Sequence, residues 1–79
     1  MKIKVLGSGC KNCEVVVERA REALTELEIE GEVLKVTDLD EIINLGVMMT
    51  PGLIINDNIK VTGKVPKTKE IVKFIEEEI

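Results

Sequence analysis

The stretch Lys2-Ile3-Lys4-Val5-Leu6-Gly7-Ser8-Gly9-Cys10-Lys11-Asn12-Cys13 decides how this chain is read. Lys2–Leu6 alternates polar and apolar residues well enough for a strand, β1. Gly7-Ser8-Gly9 ends it, and from Lys11 the apolar spacing changes to three or four residues. Cys13, Val16, Val17, Ala20, Leu24 and Leu27 share one side, while Glu14, Glu18, Arg21, Glu22 and Glu26 take the other. That period predicts a helix, α1, from Lys11 to Leu27. The only two cysteines of the chain therefore stand where a strand gives way to a helix.

A cysteine at a helix N-terminus feels the positive end of the peptide dipoles and unpaired backbone N–H groups, and both favour thiolate over thiol. Lys11 adds a mobile positive charge, partly opposed by Glu14, that either tunes the pKa of Cys10 downward or is a solvated surface charge. Cys13, one turn further on, is placed to attack a mixed disulfide and close an intramolecular one. The pair suits reversible dithiol–disulfide exchange. As alternatives, two thiolates could hold a soft metal such as Cu(I) in linear coordination, or sense redox state in a non-catalytic interaction module. A structural staple is disfavoured, because the entropic benefit of a disulfide grows with the loop it closes.

Composition narrows the field. Seventy-nine residues form one domain, 1–79, with an aliphatic core, since Phe74 is the only aromatic residue. The charged residues mix both signs to a formal net charge of -4. No basic stripe points to nucleic acid. There is no histidine, which removes the commonest general base. No cofactor is implied, and no metal site beyond the cysteine pair. No apolar run approaches the ~20 residues of a membrane span, and Met1–Lys4 leads into too short an apolar stretch for a signal peptide. The expectation is a cytoplasmic monomer whose thiols are kept reduced, without a membrane partner.

Further along, Gly31 marks a turn and Glu32–Val36 reads as a second strand. Asp38 caps a short helix with Glu41 three positions on; Leu39, Ile42 and Ile43 are expected to be its buried side and Gly46 its stop. Met48 and Met49 either fill the core or offer an apolar docking surface. After Thr50-Pro51, Gly52–Ile55 reads as a buried strand and Asn56-Asp57-Asn58 as a turn that tolerates positive φ. Ile59–Thr62 is its hairpin partner. Gly63 breaks that strand. Thr68 to about Glu78 forms the last helix, with Ile71, Val72, Phe74 and Ile75 inward. The order is βαβαββα, an α/β fold with a four-stranded mixed sheet and three helices. Right-handed crossings predict the first three strands parallel and the fourth antiparallel at an edge. Sites in such sheets lie beyond the carboxyl ends of the parallel strands.

With that order and a Cys-x-x-Cys after β1, the chain resembles the thioredoxin/glutaredoxin superfamily, in particular its small archaeal and bacterial thioredoxin-like redox-active disulfide proteins. The resemblance is carried by Gly7–Cys13, by Thr50-Pro51-Gly52-Leu53-Ile54-Ile55-Asn56 and by Val61-Thr62-Gly63-Lys64-Val65-Pro66. It implies a thioredoxin-like domain of glutaredoxin size and the activity of a protein-disulfide reductase or small dithiol electron carrier. It also implies a protein disulfide substrate and a reductase as partners. By resemblance, Cys10 is the exposed nucleophile and Cys13 the more buried resolving thiol. Thr50-Pro51 is then a cis-proline loop facing the cysteines, with the backbone of Thr50 pairing to an extended partner segment. Gly63 lets the chain pass close beneath that loop. Heavy-metal-associated domains also carry a Cys-x-x-Cys after their first strand, but they follow a βαββαβ order that ends in a strand.

Overall fold

The computed structural model describes residues 1–7 and 11–79, and among these the elements come in the expected order. They are β1 (Lys2–Leu6), α1 (Lys11–Glu26), β2 (Glu32–Val36), α2 (Leu39–Asn44), β3 (Gly52–Ile55), β4 (Asn58–Thr62) and α3 (Thr68–Glu76). The strands form one sheet in the order β2-β1-β3-β4. β1 and β2 run parallel, from Lys2↔Glu32 to Leu6↔Val36. β3 runs antiparallel to β1, and β4 antiparallel to β3.

The direction of β3 corrects the expectation of three parallel strands. A crossover must carry the chain back along the sheet, and a five-residue strand spans roughly 16 Å. α2 has six residues, which gives about 9 Å of rise. The segment 37–51 therefore stays near the end where β1 and β2 finish, and β3 starts there.

Alternation along β1 and β3 divides the interior in two. Ile3, Val5, Leu53 and Ile55 point to the face covered by α1 and α3, in a core with Cys13, Val16, Ala20, Ile71 and Ile75. Val72 and Phe74 pack partly buried against it. Leu6 and Ile54 point the other way and meet Ile42 and Val47 in a much smaller core. That core has room for one inward side chain from α2. Ile42 is buried, while Leu39 is 62% exposed and Ile43 50%, so neither belongs to the buried side expected of it.

The local signals that bound these elements are specific. Asp38 Oδ1 accepts the N–H groups of Asp40 at 2.9 Å and Glu41 at 3.3 Å, capping α2. The backbone N–H of Lys67 donates to Glu70 Oε1 at 3.2 Å at the start of α3. Asn56 and Asp57 have φ of 48° and 70°, the pair of positive values that a two-residue hairpin needs to match the strand twist. Among the described residues, no helix is long and apolar enough to cross a membrane.

Candidate functional site

The antiparallel ladder between β1 and β3 ends with Leu6 opposite Gly52, and Gly52 is also paired with Thr62 of β4. Three stretches of chain thus meet at one end of the sheet: the one leaving β1, the one entering β3 and the one leaving β4. The stretches entering β3 and leaving β4 contain Thr50, Pro51 and Gly63. Strand direction produces the meeting, since a parallel β3 would begin at the opposite end.

Cys13 is the third residue of α1, 3% exposed and part of the larger core. The apolar period of α1 turns it inward together with Val16, Val17 and Ala20. Cys10 lies outside the described residues. Lys11 opens α1 and is exposed, as is Glu14 one residue past Cys13. Lys35 of β2 reaches Glu14, with Nζ 3.6 Å from Oε1. Both partners are largely solvated, so the pair adds little stability. It does bring a cation to the first turn of α1.

Thr50 and Pro51 are joined by a cis peptide bond; Thr50 is exposed and Pro51 buried. The N–H of Gly63 donates to the carbonyl of Pro51 at 2.9 Å and to that of Met49 at 3.2 Å. Gly63 has φ of +71°, and a Cβ there would stand 3.0 Å from Cβ of Met49. Glycine is required twice over, for its conformation and for the close approach. The same connector is held from below by Val47 in the smaller core. A Cβ on Gly52 would lie 2.8 Å from Val47 Cγ1, so the start of β3 rests directly on that side chain.

Pinned between these contacts, Met48 and Met49 project outward, 82% and 64% exposed. They are surface groups beside Pro51, not core filler. Arg19 Nη1 donates to the carbonyl of Pro66 at 2.9 Å, fixing the segment that follows Lys64 against α1. A groove lined by Met1, Lys2, Leu24, Gly31 and Asn56 lies at the other end of β1.

The structure thus brings Pro51 and Gly63 into direct contact, with Thr50 beside them. Val47, Lys35 and the carbonyl of Met49 went unnoticed in the sequence. Val47 looked like any connector residue, and the other two act through contacts between elements distant in the chain. Among the described residues, no group of three or more His, Cys, Asp or Glu side chains could hold a metal ion.

A mixed sheet in this order, with α1 and α3 on one face and α2 on the other, is a thioredoxin-like fold, and it closes with a helix instead of the final strand of heavy-metal-associated domains. A family model described as the thioredoxin domain matches residues 1–76, and the chain belongs to that family. It is similar to a thioredoxin of Methanothermobacter thermautotrophicus, 39% identical over 75 residues that cover 95% of this chain and 97% of the relative. It is also similar to a thioredoxin of Methanocaldococcus jannaschii, 41% identical over 69 residues, 87% of this chain and 79% of that one. This is a thioredoxin-like redox protein.

Proposed function

We propose that the chain reduces protein disulfides, with Cys10 as nucleophile and Cys13 as resolving thiol. The observation that carries this reading is the Leu6↔Gly52 register. It sets the Thr50–Pro51 loop at the strand end from which the chain runs on to Cys10.

Cys10 acts as a thiolate, favoured by the N-terminus of α1 and by Lys11. It attacks one sulfur of the partner disulfide; a Cys10–partner disulfide forms and the other partner sulfur leaves as a thiolate. Cys13 then attacks the sulfur of Cys10, and the second partner sulfur departs. Two electrons pass to the partner with two protons, one from the Cys13 thiol and one from solvent. The partner ends as two thiols, and the Cys10–Cys13 dithiol ends as a disulfide. A reductase returns two electrons and two protons. Burial of Cys13 suits its role, since a sulfur in the core is shielded from outside partners yet only three positions along the chain from Cys10. Thr50 offers its backbone to an extended segment of the partner, and Gly63 supports the loop from beneath. The cycle needs a thiol-reducing compartment such as the cytoplasm.

Insulin reduction and trapping test the scheme together. Cys13→Ser should accumulate a mixed disulfide with Ellman's reagent, while Cys10→Ser should form none. A native protein that leaves insulin intact, beside a Cys13→Ser variant that traps nothing, overturns it.

A further inference from the structure

We propose that the protein prefers disulfides in segments whose apolar residues are flanked by lysine or arginine, seated over the outer side of α2 and the Met48–Met49 connector. The inference rests on the oxidoreductase reading above and adds the class of substrate. Leu39 and Ile43 are four residues apart and share one side of α2. With Met48 and Met49 they leave four large apolar side chains in solvent along a single connection. Scattered exposed apolar residues need no explanation, but a run of them beside a reactive site marks a contact surface. Continuity with the site is direct, because Gly63 ties the carbonyls of Met49 and Pro51 together.

Charge selects the occupant. From Thr37 to Pro51 the chain carries Asp38, Asp40 and Glu41 and no lysine or arginine. All three acids are exposed, and among the described residues none is in an ion pair. The cations nearest this end are Lys11 on α1 and Lys35, drawn to Glu14 of α1, both across the sheet from α2; Lys64 after β4, at the edge away from β2; and Lys4, which alternation along β1 sets on the α2 face two residues before Leu6. An occupant of the α2 side therefore meets an apolar centre bordered by three acids, with no lysine or arginine in the connection itself and Lys4 set back along β1. Basic flanks are drawn to it and acidic flanks repelled. A second copy of this chain, itself at -4, would set the same border against itself.

The test uses the reduced full chain and two peptide disulfides alike in their Leu and Val residues, one flanked by lysine and the other by glutamate. Each is reduced to two peptide thiols as the protein dithiol becomes a disulfide. Rates are divided by those of dithiothreitol with the same peptides, which removes intrinsic differences in leaving group. At about 20 mM salt the lysine peptide should react about fivefold faster or more. The advantage should shrink toward about onefold near 500 mM salt, where the Debye length is a few ångströms. At low salt it should also shrink in the Asp40→Asn/Glu41→Gln variant. Equal normalised rates at low salt, or a preference that the double variant leaves intact, overturn the proposal. If neutral hydroxyethyl disulfide is not reduced either, the oxidoreductase reading has failed and this one with it.

Discussion

The two faces of the sheet are built to different depths. On one, α1 and α3 cover β1 and β3 with a cluster that runs from Ile3 to Ile75 and includes most of the fully buried side chains. On the other, six-residue α2 covers four buried residues, Leu6, Ile42, Val47 and Ile54. Cys13 is rooted in the deep face, while the connector that carries Met48, Met49 and Pro51 is rooted in the shallow one. One half of the site is thus held by the body of the protein. The other half is held by a few contacts that a partner can reach.

The sharpest way to break this comparison is to cut equal volumes from each side. Ile55→Ala in the deep core should cost about 3–4 kcal/mol, near the upper part of the usual range. Ile42→Ala should cost about 2 kcal/mol, because a shallow cluster collapses more easily around the space left. Urea unfolding of both variants decides it. A loss at Ile42 equal to that at Ile55 would mean that α2 is as firmly built in as α1.

A smaller effect on stability, but a larger one on activity, is expected at the point where the shallow side is tied down. Gly63→Ala forces a side chain into a positive-φ position and against Met49. It should destabilise by about 1–2 kcal/mol and slow insulin reduction by about tenfold through displacement of the Thr50–Pro51 loop. Activity unchanged despite the expected loss of stability would separate the glycine from the site.

The smallest effect belongs to the far end of the deep face. Lys60 Nζ lies 2.8 Å from Glu78 Oε2 and 3.1 Å from Glu77 Oε1, and Asn58 Nδ2 donates to Glu78 Oε1 at 2.8 Å. The bonds from Lys60 and Asn58 hold the Glu78 carboxyl below its ordinary 4.5. The bonds to Glu78 and Glu77 hold Lys60 above its ordinary 10.5. Because the carboxyl is depressed in the fold, its contribution is present above pH 4.5 and fades as pH falls through the lowered value. Because the ammonium is raised, its contribution is complete below pH 10.5 and fades as pH climbs through the higher one. Amide protection in the last turn of α3, with the intrinsic exchange rate at each pH divided out, should therefore fall at both extremes relative to neutral pH. In Lys60→Met those two slopes should flatten.

Much of this architecture can be read from single residues. The change of period at Lys11, the cap at Asp38 and the Asn56-Asp57 turn each act within a few positions, and each stands where the pattern puts it. Strand direction is different. Gly52–Ile55 is buried throughout, so its composition says that it is central and nothing about which way it runs. Direction came from the shortness of α2, a fact about reach. The exposure of Leu39 and Ile43 escaped for a related reason, since an apolar spacing marks a face without saying whether a core exists to receive it. At the site, the cysteine spacing and Thr50-Pro51 stand out in the sequence, whereas the bond from Gly63 to Met49 and the Lys35–Glu14 pair join elements far apart in the chain.

The antiparallel entry of β3 also fixes an order of events during synthesis. Both cysteines are polymerised, and leave the ribosome, ahead of Pro51 and of the strand that carries the proline loop into the sheet. For that interval the nascent chain carries a vicinal dithiol without its housing, open to any passing oxidant. On the mechanism proposed above, the thiols are made first and the loop that presents their substrate follows.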